Sequence, residues 1–257
     1  MMLFDALPIW VVFLATGGLI FAALQAGYWI GQRRRQKAEG KAESAGAMVG
    51  ATMGLLAFML AFTFNAAANR HEARKMLVID EANAIDQAWL RAGFLAEGDR
   101  VRARATLREY VDVRVKASVG EVEIQAALKR TEALLDQLWA MAETAGRTNP
   151  NSIATSQFVD SMNRVIDLHL KRVTVAIRNR VPPTIWMALY VLACAGMIMM
   201  GSANGLGGSR QMLVEVGLAL AFSIVLFVIA DLDRPQEGLI NVSQEAMTEL
   251  RDKMDAR

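Results

Sequence analysis

The chain has one cysteine, two histidines and five prolines in 257 residues. The single thiol, Cys194, excludes an intrachain disulfide and a cysteine-rich metal site; lying within an apolar run, it reads as a packing residue. His71 and His169 have no second histidine or cysteine at ligand spacing, so no metal site is expected. No proline falls between 45 and 94, which leaves that stretch free to form one long helix. Neither sign of charge is in excess: 28 Lys and Arg stand against 26 Asp and Glu, a net +2. With no basic stripe interleaved with aromatics, nucleic acid is not an expected partner. The chain lacks G-x-S-x-G, H-E-x-x-H and a P-loop, and the glycines at 205–208 have no strand-turn-helix context. No catalytic residue, no cofactor and no enzymatic activity are therefore expected. Strand signals are few, and the expected fold class is all-α.

What the chain has is apolar sequence in four long runs, at 7–30, 45–64, 183–201 and 212–230. Each is about 20 residues, the length a helix needs to cross a hydrocarbon core about 30 Å thick. Lipid offers no partner to open backbone groups, so each run is expected to be a transmembrane helix, with the bilayer as a partner. Residues 1–7 carry no Lys or Arg, and no A-x-A-like cleavage site follows, so the first run is expected to remain as a span rather than be cleaved as a signal peptide. Trp10 near its start and Tyr28 and Trp29 near its end sit where interfacial aromatics belong. Arg33, Arg34, Arg35, Lys37 and Lys41 follow as a basic loop. In the second run Gly46, Gly50 and Gly54 recur every four residues, a pattern for close helix approach within or between subunits.

The polar block between the second and third spans is patterned as helices. Val78, Ala82, Ile85, Trp89 and Leu90 form a helical stripe that continues the second span, so 45–94 is expected to be one helix about 75 Å long. Further helices are expected at 100–117 with Asp99 as N-cap, at 122–144, and at 152–180. The Gly-rich 202–210 segment is expected to be a tight hairpin between spans three and four. A short tail helix is expected from Gln244 with Ser243 as N-cap. The domains are then 1–64 (spans one and two with the basic loop), 65–181 (extramembrane helical bundle), 182–231 (spans three and four) and 232–257 (polar tail). Span one has no Lys or Arg before it and five just after, so the first loop is expected in the cytoplasm and the helical block outside it. Arg70, Arg74, Lys75, Lys171, Arg172, Arg178, Arg180 and Arg234 flank spans on the other side and count for the opposite orientation, but the block is longer than the loops to which the charge rule applies.

Several strings read together: GLLAFMLAFTF at 54–64, DEANA at 80–84, LREYV at 107–111, NRVIDLH at 163–169 with Arg172, VPPTIW at 181–186, DLDRP at 231–235 and VSQ at 242–244. In order and spacing they make the chain resemble the prokaryotic bestrophin-like membrane family over about 45–245. The resemblance implies a multi-pass protein of the bacterial inner membrane and distant similarity to bestrophins, which are pentameric anion channels with four spans. It thus implies a homo-oligomer and conduction of inorganic anions such as chloride. A non-conducting sensor or scaffold, whose helical block binds a partner, is the rival reading.

Phe58 and Phe62, followed by Asn65 and Asn69, lie along one helical face. In a ring of subunits they would form an apolar constriction with a polar mouth, similar to the aromatic neck on the second span of bestrophins. Alternatively the rings pack against neighbouring spans or lipid. Arg70, His71, Arg74 and Lys75 form a basic collar that would draw anions to the mouth or contact lipid headgroups. Glu215 is an ionisable group inside span four, either functional or paired near the interface with Arg210. Asp231, Asp233 and Glu237 do not supply the six to eight oxygens calcium prefers; Asp231, Asp233, Arg234 and Pro235 read as a structural junction. Asp80, Glu81 and Asp86 read as a solvated or subunit-facing stripe.

Overall fold

The computed structural model describes residues 8–36, 43–178, 180–208, 212–234 and 238–256. Among them there is no strand, and the helices are α1 (Ile9–Arg35), α2 (Glu43–Ala92), α3 (Glu97–Ser118), α4 (Ile124–Thr148), α5 (Ile153–Arg178), α6 (Pro183–Gly207), α7 (Met212–Asp233) and α8 (Glu245–Asp255). Four of them, α1, α2, α6 and α7, are long and apolar enough to cross a membrane. The expected unbroken helix through the second span is present as α2, 50 residues long. The chain divides into two units. One holds residues 1–71 and 180–241, and the other holds 72–179 and 242–257.

In the first unit, α1 and α6 meet through glycine. A Cβ at Gly27 would stand 2.1 Å from the Ile198 carbonyl oxygen, and one at Gly31 would stand 2.1 Å from that of Ser202. The contact is reciprocal. A Cβ at Gly201 would lie 2.1 Å from the Leu24 oxygen, and one at Gly205 would lie 2.3 Å from the Tyr28 oxygen. Each helix thus presents two glycines four apart, the arrangement that lets helices approach in lipid. This corrects the hairpin expected at 202–210. Glycines 201, 205 and 207 are helical, α6 runs on to Gly207, and the chain turns at Gly208, whose φ of 72° is the left-handed helix-ending conformation. Around this seam Thr16 Oγ1 and the Tyr190 hydroxyl are 2.8 Å apart, and Phe13 and Phe227 meet edge to face at 5.4 Å. On α2, Met53 reaches Gly196 of α6, and Leu56 and Leu60 are buried.

The second unit is built on the polar half of α2, with α3, α4, α5 and α8. Val78, Ile85, Leu107, Leu134, Leu138, Phe158, Met162, Val165 and Met247 form its apolar core. The tail helix α8 is held there by ion pairs from Lys253 to Asp86 and from Arg108 to Asp255, both at 2.5 Å. The Arg104 guanidinium lies over the Trp89 ring at 4.0 Å. Two expected caps are corrected. Helix α3 starts at Glu97 after Ala96, two residues before Asp99, and the Asp99 carboxylate pairs with Arg102 one turn on. At α8 the cap position is Gln244, although the Ser243 hydroxyl does accept the Glu245 N–H at 3.2 Å. Lys37, Lys41, Arg210, Pro235 and Glu237 lie outside the described residues.

Candidate functional site

A charged cluster lies inside the second unit. Glu81 of α2, with no exposed surface, is its centre. The Tyr110 hydroxyl of α3 donates to Glu81 Oε1 at 2.5 Å. Arg114 Nη2, one turn along α3, donates to Oε2 at 3.2 Å, and Arg172 Nη1 of α5 donates to the same oxygen. The other arm of Arg172 donates to Gln244 Oε1 at 2.7 Å. The hydroxyl proton of Tyr110 is committed to Glu81, so its oxygen accepts from His169 Nδ1, 2.9 Å away. That assigns the Nδ1–H tautomer to His169.

Burial alone drives the Glu81 carboxyl upward, but the two guanidinium groups and the Tyr110 hydroxyl outweigh it and hold it at about 2, below the ordinary 4.5. Burial pushes His169 down from 6.5 to about 4, and the positive charge of Arg114 pushes the same way. Burial, with the Glu81 charge next, holds the Tyr110 hydroxyl well above its ordinary range. In both Glu81 and His169 the folded chain binds a proton less readily than the unfolded chain, so acid favours unfolding. The His169 contribution falls away from about pH 6.5 down to about 4, and the Glu81 contribution from about 4.5 down to about 2. The Tm of the purified protein should therefore fall steadily below pH 6.5. A His169→Gln variant should lose the decline between pH 6.5 and 4.5 while keeping the lower one. An unchanged wild-type Tm between pH 7 and 4 would contradict this assignment.

Glu81 corrects the expectation of a solvated or subunit-facing stripe, for its carboxylate is enclosed. Asp80 and Asp86 are partly exposed. Among the described residues no three His, Cys, Asp or Glu side chains gather as a metal set. On the membrane half of α2, Phe58 and Phe62 are 67% and 65% exposed, and Asn65 and Asn69 on the same face are exposed too. Of the collar, Arg70 and His71 are half-buried and Lys75 is exposed, whereas Arg74 is packed in at 5% exposed. Around Gly46, Gly50 and Gly54 there is open space where a Cβ would stand; within one chain the glycines that bring helices together are those of α1 and α6.

Glu215 is buried on α7, and its Oε1 accepts from Asn204 Nδ2 of α6 at 3.2 Å. Asp231 accepts the backbone N–H groups of Leu239 and Ile240, one on each oxygen and both at 2.9 Å. Asp233 accepts the Val181 N–H, also at 2.9 Å. Arg234 is buried beside them. These acids tie loop backbone to the end of α7.

A family model for the bestrophin-like domain matches residues 12–247. The chain belongs to the bestrophin-like family. A solved crystal structure of a membrane protein is similar to this bestrophin-like chain at a TM-score of 0.62, with 13% identity over 96% of this chain and 97% of the other. At that identity the likeness concerns the fold alone. A comparison with curated proteins finds no match. Glu81, Tyr110, His169, Arg172 and Gln244 of the bestrophin-like chain all fall within the strings that carried the family resemblance. Their joint role was still missed. The usable signal was an acid at the inward register of a helix whose neighbours Val78, Ala82 and Ile85 are core.

Proposed function

We propose that this chain is one subunit of an oligomeric pore in the bacterial inner membrane that conducts inorganic anions such as chloride, with α2 facing the axis. The observation that carries the reading is how little of α2 its own chain covers. Only 17% of its apolar window is buried, against 28%, 33% and 28% for α1, α6 and α7. Its open side combines two large rings with a run of small residues, and small residues favour a protein neighbour at close range over lipid. In a ring of subunits Phe58 and Phe62 form a constriction that gates by dewetting, with Asn65 and Asn69 as its wetted mouth. Arg70, His71 and Lys75 raise the local anion concentration, and buried Arg74 supports them through the field rather than by contact.

Purified protein with Phe58→Ala and Phe62→Ala should pass more current in planar bilayers than wild type, with chloride favoured over sodium. Silence of both proteins at every voltage, calcium level and pH, together with a monomer in mild detergent, would sink the pore. The charge step across span one supports a helical unit that lies outside the cytoplasm. A reporter active only in the periplasm should therefore give signal when fused after Gly98, and signal only from a fusion at Lys41 would reverse the orientation. A non-conducting sensor is favoured by a separate observation, an open cleft between α4 and α5.

A further inference from the structure

The cleft has a volume of about 410 Å³ and is lined by Glu132, Leu135, Asp136 and Trp139 of α4 and by Asn163, Ile166, His169 and Leu170 of α5. That size is within the range of small-molecule sites, which pair apolar walls with a few polar groups. The charge of the lining has one sign. Glu132 and Asp136 lie one helical turn apart, exposed, and neither takes part in an ion pair among the described residues. No Lys or Arg lines the cleft. His169 adds no positive charge at neutral pH, since burial holds its pKa at about 4. Trp139, 39% exposed, offers an aromatic face, and Leu170, 58% exposed, continues the apolar wall.

We propose that this cleft binds a small organic cation, an ammonium group carried on an apolar body. The ammonium meets Glu132 and Asp136, and the body lies against Leu135, Ile166, Leu170 and the Trp139 ring, which also attracts cations through its π face. A metal ion fits poorly, because two carboxylates among apolar walls fall short of the oxygen set calcium takes. An anion meets repulsion from both acids. At the cleft, His169 is 2% exposed, and its Nδ1 is bonded to Tyr110, which in turn holds Glu81. An occupant therefore rests on the residue that leads to the buried charge cluster. This site is independent of the pore reading and stands or falls without it.

The test is isothermal titration of the full-length protein in nanodiscs with phenethylammonium chloride, using phenethyl alcohol as the neutral isostere. The cation should bind saturably, and the alcohol at least about 10-fold more weakly. Glu132→Gln with Asp136→Asn should cost about 10-fold in affinity for the cation and remove most of its salt dependence. Both side chains are exposed, so the Tm of this variant should match wild type and separate lost binding from lost folding. Trp139→Leu should weaken the cation several-fold more than the alcohol. Equal affinity for alcohol and cation, full affinity in the double variant, or no binding at millimolar phenethylammonium would each overturn the proposal.

Discussion

Gly201→Val should abolish the folded membrane unit. Its Cβ would occupy space 2.1 Å from a backbone carbonyl oxygen of α1, and backbone cannot swing aside as a side-chain tip can. The two helices must separate, and Gly27, Gly31 and Gly205, where an added Cβ would likewise stand 2.1 to 2.3 Å from the partner backbone, separate with them. Overpacking at one position typically costs 1–3 kcal/mol; loss of the whole seam puts the expected effect at or above about 3 kcal/mol. Gly201→Ala should be milder but in the same direction. Gly50→Val is the contrast, since beyond its own turn of helix nothing lies within 4 Å of where its Cβ would stand. It should leave the fold of the subunit intact and, if copies meet along α2, weaken only their association. Size-exclusion and thermal unfolding in detergent read both outcomes. A Gly201→Val protein with wild-type Tm would refute the α1–α6 seam.

Glu81→Leu should be the most damaging single change in the second unit. Arg114 and Arg172, with side chains only 11% and 15% exposed, would keep their charge and lose their shared carboxylate. Tyr110 would lose the acceptor of its proton. Removing one partner from a buried ion cluster costs about 3–5 kcal/mol, because the remaining charge stays enclosed. Replacing the whole set is a different matter, since apolar residues of similar volume often substitute for a buried triad without loss. A triple variant, Glu81→Leu with Arg114→Met and Arg172→Met, should recover part of the stability that Glu81→Leu loses. Unfolding followed by circular dichroism decides it. A wild-type midpoint for Glu81→Leu alone would show that the carboxylate is not what holds the two cations.

The spans and the helical block were legible in the sequence because their signals are local. A run of about 20 apolar residues has one stable form in lipid, and the 3.6-residue period of Val78, Ala82, Ile85 and Trp89 marks an inward face without reference to any partner. Glycine was harder to read. At 202–210 it looked like a hairpin, yet Gly205 is helical and lies against α1, and Gly208 is where the positive φ of a turn is found. At 46, 50 and 54 it looked like a seam, yet no seam forms there within one chain. A glycine can serve either a bend or a close approach, and what decides is the position of a neighbour far along the chain. The same holds for Glu81. In its own helix it is one acid among several; its partners Arg114 and Arg172 are 33 and 91 residues away. Pairings of that span leave no periodic trace.

The glycine seam has a consequence for what joins α1 to α6. Where a Cβ would point at a carbonyl oxygen, glycine has a hydrogen, so Gly27, Gly31, Gly201 and Gly205 each aim a Cα–H at an oxygen of the facing helix. Such contacts contribute about 0.5–1 kcal/mol each, and in lipid, where apolar burial supplies no net drive between helices, main-chain contacts of this kind carry relatively more weight. Beside the Thr16–Tyr190 hydrogen bond and the packed side chains, part of the join is therefore written in atoms every residue shares, on condition that four positions carry no side chain. Elsewhere along both spans, residues facing lipid are free to drift over evolutionary time without unfastening the pair.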